Sequence, residues 1–324
     1  MIRRDAYTRR NLYLRHLAQK FDAEHLEPHF EADTLISDGL RLHLDIIVRD
    51  RNAPTLVFVP GTATYAMCFA EFLYLLSKEG YNIVGLDPRG HGLSEGPRGD
   101  YTISELIRDT QAAITYAIEN FNDNVSVIGC SQGGIVAFYV AAADDRVKSV
   151  VCQNFADLTD PRTLSASRHP FLSVFLTPVI KRAAKFFPQQ QIPVTLYIDH
   201  SKLHVKHYGN LLNFIQQDPL ALKSISLRAL NSLTTTRLAV PIERIKTPVM
   251  VLHPENDGIF PLNYSRYLFD KLCCKKRLEI IPNTTHTLLV NHPQSAAKPV
   301  LQWLNEIHRI KTETTAAKEE IISS

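Results

Sequence analysis

Long apolar runs are missing from this sequence. None reaches the roughly 18 residues that a membrane-spanning helix needs, which excludes an integral helical membrane protein. The first residues, MIRRDAYTRRNLYLRHLAQKF, are basic but lack the apolar core of roughly 7–15 residues that marks a secretory signal. Cysteine is sparse and odd in number. The five, Cys68, Cys130, Cys152 and the adjacent Cys273 and Cys274, show neither metal-ligand spacing nor the even count of a disulfide-stapled secreted domain. A reducing compartment is therefore expected, the cytoplasm with peripheral membrane contact, and no metal or cofactor is expected. There is no internal repeat, no zinc-finger spacing and no aromatic-and-basic RNA motif, so a nucleic-acid partner is not expected. Strong net charge is also absent, at +3, and 45% apolar residues are too many for a disordered chain. The 324 residues suit two domains or one large α/β domain.

The small net charge hides a segregation. Residues 1–20 sum to +5, residues 160–245 carry eleven Lys or Arg against four Asp or Glu, and the remaining 218 residues sum to −9. Such asymmetry suggests segments with different tasks. Residues 1–30 read as a basic amphipathic helix, with Leu12, Leu14, Leu17 and Phe21 near helical spacing and arginines between them.

Next, Thr34–Ser37 and Leu40–Arg49 flank Asp38-Gly39. Asp-Gly between alternating runs predicts a hairpin with positive φ at both turn residues, forming an antiparallel edge with one wet face. From Thr55 the pattern changes to short, continuously apolar runs at 55–59, 81–86, 124–128, 147–151, 248–252 and 277–281. Strands apolar throughout are buried on both faces, so the sheet is parallel and covered by helices. The expected helices are 66–79, 102–120, 132–143, 261–272 and 294–309. The rhythm breaks once, where about 95 residues separate two strands. A structureless loop of that length is improbable in a packed domain. An inserted helical cap over 160–245 is expected, with the core formed by 31–159 and 246–310 and a polar tail over 311–324.

The strongest chemical signal is Gly129-Cys130-Ser131-Gln132-Gly133-Gly134, between an expected strand and an expected helix. Gly-x-Ser-x-Gly in that context is a nucleophile elbow, in which Gly129 and Gly133 let strand and helix approach while the strained turn lifts the Ser131 hydroxyl off the sheet. A serine hydroxyl needs a base. His286 follows the last strand, in a loop at the sheet edge where such folds place their sites. An acid must orient that imidazole. Asp257, in HPENDGIF after the preceding strand, has the expected place in chain order, with Asp157 as the rival. Cys130 is expected to point into packing as a small buried hydrophobe. An oxyanion requires two backbone donors. These are expected from Gln132 and from Thr62, with Ala63 as the alternative in the second position, since Pro60-Gly61-Thr62-Ala63 follows the first parallel strand.

Asp87-Pro88-Arg89-Gly90-His91-Gly92-Leu93-Ser94, the elbow, the Asp257 loop and His286 together resemble the α/β-hydrolase superfamily. The Asp-x-Arg-Gly-His-Gly-x-Ser run and the cap after the sixth strand resemble its lysophospholipase and monoacylglycerol-lipase branch, which includes serine-aminopeptidase-like members. The resemblance spans about residues 33–310. It implies a mostly parallel eight-stranded sheet, a Ser131–His286–Asp257 triad, and cofactor-free hydrolysis of carboxylic esters of glycerolipid type. The chain departs from the family at Pro60, where a histidine is usual, and at Cys130, usually histidine too. Arg89 and His91 are expected to buttress the loop beside the site.

The cap pairs Phe171, Leu172, Val174, Phe175, Leu176, Ile180, Phe186 and Phe187 with Lys181, Arg182 and Lys185. That composition suits an acyl-ester substrate and, with the basic amino-terminal helix, peripheral contact with an anionic membrane. The expected function is a serine hydrolase of lipid-type acyl esters. A non-catalytic receptor or scaffold on the same fold is the alternative from another class. Thioesterase, acyltransferase and peptidase are alternatives within the class.

Overall fold

The computed structural model describes residues 26–166, 170–198, 203–206 and 208–309. The expected amino-terminal helix falls almost wholly outside them, and so does the tail over 311–324.

Glu31–Ser37 (β1) and Leu40–Ile47 (β2) form the hairpin read from Asp38-Gly39. Asp38 and Gly39 have φ of 47° and 79°, as that turn requires. Thr55–Val59 (β3), Asn82–Leu86 (β4), Val125–Cys130 (β5) and Ser149–Gln153 (β6) follow, with helices Ala70–Lys78 (α1), Ile103–Asn120 (α2) and Gln132–Ala143 (α3) between them. After β6 the chain leaves the sheet. It runs through Pro170–Phe186 (α4), a two-stranded pair Gln191–Pro193 (β7) and Ser224–Ser226 (β8), Leu211–Gln217 (α5) and Leu227–Ser232 (α6). It then returns through Val249–Pro254 (β9), Leu262–Lys271 (α7), Lys276–Ile281 (β10) and Pro293–His308 (α8). The main sheet has eight strands in the order β1-β2-β4-β3-β5-β6-β9-β10, with only the β1–β2 and β2–β4 pairs antiparallel.

Local chemistry explains the element ends. Thr102 caps α2 in a reciprocal box with Glu105, a motif that contributes about 1 kcal/mol. Asn210 and Ser226 cap α5 and α6 through their side chains. The α3 sequence is apolar on every side, and its first ten residues are buried. A helix without a polar face can only sit in a core, and α3 packs on β5, β6 and α2.

One expectation is corrected. The wet face of the hairpin belongs to β1, whereas β2 is buried at His43 and Asp45 as well as at its apolar positions. The reason is that β2 is not an edge. β4 pairs with its far side, and the turn after β4 folds over it, with the Asp87 N–H donating to the His43 carbonyl at 3.0 Å and the His43 N–H to Ser94 Oγ at 2.7 Å. Buried His43 finds its partner in Asp45 Oδ1 at 3.2 Å.

The segment between β6 and β9 is tied to the body at several points. Arg228 of α6 reaches Asp100 and, at 2.8 Å, Glu105. The Ile103 N–H donates to Ser232 Oγ at 3.1 Å, and the Ser226 N–H to the Gly99 carbonyl at 2.9 Å. Among the described residues no helix is long and apolar enough to cross a membrane.

Candidate active site

Ser131 stands between β5 and α3 with φ 54° and ψ −117°, a backbone conformation that costs a non-glycine residue free energy and survives only where its surroundings enforce it. The enforcement is visible. The Ser131 N–H donates to the Gln153 carbonyl of β6 at 2.8 Å, and the Ile135 N–H to the Ser131 carbonyl at 3.1 Å. A Cβ on Gly129 would lie 2.0 Å from the Gly133 carbonyl oxygen, and one on Gly133 would lie 2.1 Å from that of Val59. Gly134 is equally constrained, since a Cβ there would stand 2.3 Å from the Asn154 carbonyl oxygen. The elbow therefore rests on three glycines, one more than the motif announces.

The structure brings Ser131, His286 and Asp257 together. Ser131 Oγ is 2.9 Å from His286 Nε2, and His286 Nδ1 lies 2.9 and 3.2 Å from the two oxygens of Asp257. Both side chains beyond the serine are buried, and the His286 ring stacks on Phe260 with centroids 5.8 Å apart. Asp257 Oδ1 also accepts from the N–H groups of Ile259 and Phe260, at 2.8 and 3.0 Å. Burial alone would push its carboxyl up, but the imidazole and these donors prevail and hold it at about 2.

Asp157 is not part of this line. Its Oδ1 accepts from the Thr159 N–H and hydroxyl at 2.9 and 2.8 Å, a local turn. Glu255 serves the backbone of Asn283 at 2.8 Å. His253 is a fully buried residue of β9, because that strand runs two residues further toward the site than its apolar run.

Two supports escaped the sequence reading. Asn154 donates from Nδ2 to Asp257 Oδ2 at 2.9 Å and takes φ 67° to do so. Gln153 donates from Nε2 to the His286 carbonyl at 2.6 Å, while its Oε1 accepts from the Cys130 thiol at 3.0 Å. Cys130 is buried as expected, but it is a hydrogen-bond donor rather than a mere hydrophobe, and burial pushes its thiol well up. The only sequence signal for either support is a polar pair at the end of an apolar strand.

Gln132 opens α3, and Thr62 lies in the turn after β3, where Gly61 approaches so closely that an added Cβ would sit 3.3 Å from Ser131 Cβ. This turn is held from three sides. Asp87 Oδ1 accepts the Ala66 N–H at 2.8 Å. His91, kept neutral by burial at about 4, binds the Arg89 carbonyl through Nδ1 at 2.9 Å and also contacts the Thr62 backbone. From the inserted segment, Asp218 accepts the Tyr65 hydroxyl at 2.7 Å, and the Leu222 N–H donates to the Ala63 carbonyl at 3.2 Å. Pro60 thus leaves a loop fastened by other groups. Arg89 is clamped to Asp109 and Asp38.

Two cavities meet at Ser131. The larger, about 510 Å³, is lined by apolar side chains such as Ile135, Leu164, Ile180, Leu227 and Leu230. The smaller, about 100 Å³, is lined by His286, the Gly61–Thr64 turn and residues 203–218 of the inserted segment. Among the described residues no group of three His, Cys, Asp or Glu side chains could hold a metal.

The chain is similar to known proteins. The family profile described as serine aminopeptidase, S33, matches residues 50–294. The chain is 24% identical over 278 residues to the thiohydrolase aneE of Aspergillus aculeatus, covering 79% of this chain and 86% of that protein. It is 22% identical over 273 residues to the bifunctional esterase/perhydrolase DCH of Acinetobacter calcoaceticus, covering 81% and 96%. Among solved structures, a soluble variant of the Saccharomyces cerevisiae monoglyceride lipase superposes with a TM-score of 0.67 at 17% identity, covering 86% of this chain and 96% of that one. The Paleococcus ferrophilus monoacylglycerol lipase gives 0.64 at 21% identity, covering 82% and 99%. Likeness at these identities establishes a common α/β-hydrolase fold.

Proposed function

The chain belongs to the serine aminopeptidase S33 family of α/β-hydrolases, and from that premise we propose that it cleaves carboxylic esters carrying a lipid-type acyl chain. One observation carries the reading: the hydrogen-bonded line Ser131–His286–Asp257 opens onto an apolar cavity of about 510 Å³. That volume lies in the range of specific small-molecule sites, of the order of 300–1,000 Å³.

In this mechanism Ser131 Oγ attacks the acyl carbonyl as His286 Nε2 takes its proton. Asp257 holds the imidazole with Nδ1–H toward the carboxylate and stabilises the imidazolium. The backbone N–H groups of Gln132 and Thr62 receive the oxyanion, the former aided by the N-terminus of α3. His286 returns the proton to the leaving group, then activates water to release the acid. Residues 160–245 act as the cap, whose Ile180, Leu227 and Leu230 face the acyl chain.

The cap's outer face supports a substrate presented by an anionic lipid surface. Phe175, Val179, Phe186 and Phe187 are exposed by 61–77% beside exposed Lys181, Arg182 and Lys185. Exposed aromatics interleaved with cations suit an interface. The side chains of Phe171, Leu172 and Val174 lie outside the described residues. A peptidase would need a free acid for a substrate amine. Among the described residues the acid lining either cavity is Asp218, which is buried and fastens the loop by accepting from Tyr65, Leu220 and Ala221.

The test is a methyl-ester series from acetate to palmitate, followed by titration of released acid. The expected kcat/KM rises at least tenfold from acetate to octanoate or longer, and Leu230→Trp moves the optimum to shorter chains. An acetate optimum would remove the lipid-type substrate. No turnover by folded protein that a fluorophosphonate also fails to label would favour a receptor.

The acid behaviour follows from Asp257. Its carboxyl is depressed in the folded state to about 2, from an ordinary value near 3.8. Stability from this group is therefore complete above pH ~4 and lost as pH falls toward ~2, an effect of about 2 kcal/mol. Wild type should lose thermal midpoint across that window more steeply than Asp257→Asn. Equal slopes in the two proteins would contradict it.

A further inference from the structure

Resting on the ester-hydrolase reading and its Thr62 oxyanion donor, we propose that the inserted segment is built into the oxyanion site: Asp218, acting through Tyr65 and Thr64, is a positioning residue that sets the direction of the Thr62 N–H. One peptide group is decisive. Residues 61–64 form a tight turn closed by the Thr64 N–H, which donates to the Gly61 carbonyl at 3.2 Å. The Thr64 hydroxyl donates to the same carbonyl at 3.0 Å. A peptide is planar and trans, so its C=O and N–H point in opposite directions. The Gly61 carbonyl belongs to the peptide that carries the Thr62 N–H. Two donors that hold the carbonyl inside the turn therefore aim the Thr62 N–H out of it. That peptide runs beside the nucleophile, since a Cβ added at Gly61 would sit 3.3 Å from Ser131 Cβ.

Thr64 is held in turn through its two neighbours, and both holds come from the inserted segment. The Leu222 N–H donates to the Ala63 carbonyl at 3.2 Å, and the Tyr65 hydroxyl to Asp218 Oδ2 at 2.7 Å. Asp218 Oδ1 accepts from the N–H groups of Leu220 and Ala221 at 2.8 and 3.2 Å, which shapes the loop that presents Leu222. One carboxyl group thus organises both grips. Arg98 anchors the same loop to the body, donating to the Leu220 carbonyl and, at 3.0 Å, to the Gly92 carbonyl. Tyr65 and Asp218 are both buried, so their bond acts in a low dielectric without competing water. Displacing residues 218–222 would release Ala63 and Tyr65 and let the Gly61–Thr62 peptide rotate. Stabilisation of an oxyanion depends on donors aimed before the charge develops. Full catalytic power is therefore confined to the state in which this segment is seated.

The experiment measures kcat, KM and the rate of fluorophosphonate labelling, with thermal midpoints, for wild type, Tyr65→Phe, Thr64→Val and Thr64→Ser on methyl octanoate. Tyr65→Phe removes only the hydroxyl, and Thr64→Val keeps the branched shape without it. Each should lower kcat by about 10- to 100-fold, less than the ~10²–10³ for an oxyanion donor lost outright, and leave KM within about threefold. Labelling should slow by a similar factor, because the phosphonyl oxygen takes the place of the oxyanion. Thr64→Ser, which keeps the hydroxyl, should recover most of what Thr64→Val loses. A lower thermal midpoint with kcat unchanged would be a purely structural role and would overturn the proposal. A loss confined to KM, or equal losses in Thr64→Val and Thr64→Ser, would overturn it as well. Should Tyr65→Phe fail to fold, the two Thr64 variants decide. A wild type that neither cleaves ester nor takes the label sinks the ester-hydrolase reading beneath it.

Discussion

Ser131→Ala is expected to lower kcat on acyl esters by ~10⁴–10⁶-fold while leaving the fold intact, because without the hydroxyl no acyl-enzyme forms. The void left by an oxygen at the mouth of two cavities is readily filled by water, so thermal unfolding should barely move. His286→Ala should cost a similar factor, and the double variant should be no worse than either single one, since the members of such a unit act through one another. Asp257→Asn should fall by about 10⁴-fold, because an amide in place of the carboxylate favours the wrong imidazole tautomer. Asp157→Asn should stay close to wild type, as its carboxylate serves only the Thr159 turn. The measurement is kcat on the best methyl ester, with circular dichroism to verify folding. If Asp157→Asn were inactive and Asp257→Asn active, the acid would be misassigned. If Ser131→Ala kept even a tenth of the activity, the nucleophile would lie elsewhere.

The second large effect concerns folding rather than chemistry. Gly133→Ala is expected to abolish the native state. The new Cβ would stand 2.1 Å from the Val59 carbonyl oxygen and 2.5 Å from that of Pro60. Both are backbone atoms of a central strand or its exit, so no side chain can swing away. Relief would require moving β3 against α3, and both are buried. Disruption of that kind exceeds about 4 kcal/mol, a large share of the 5–15 kcal/mol that holds a typical domain together. Gly80→Ala provides the contrast. Gly80 has φ 94° but nothing within 4 Å of its added Cβ, so only local backbone strain of the order of 1 kcal/mol results. Soluble yield and thermal midpoint distinguish the two. A Gly133→Ala protein melting within a few degrees of wild type would mean that the elbow is far looser than its distances state.

Much of this protein was determined by local sequence. Continuous apolar runs became buried strands because a parallel sheet covered on both faces leaves no polar position along them. Asp38-Gly39 set the hairpin, as both residues tolerate positive φ. Gly129, Ser131 and Gly133 set the elbow, as strand and helix cannot approach with larger side chains in the way. These rules act over a few residues, so they are readable in order along the chain.

Other features were decided only in three dimensions. Asp257 rather than Asp157 reaches His286, and it is selected by Asn154 and by the N–H groups of Ile259 and Phe260 rather than by any difference between two aspartates in sequence. The alternation of β2 suggested a wet face, but β4 and the turn beyond it bury that face. The division of the space beside Ser131 into two unequal cavities, and the placement of His286 on the smaller, arise where the turn after β3 meets a segment some 150 residues later, joined by the hydrogen bond between Tyr65 and Asp218. Sequence patterning states which face of an element is apolar. It does not state which distant element will cover that face, because that choice depends on how the shapes of all the elements pack at once.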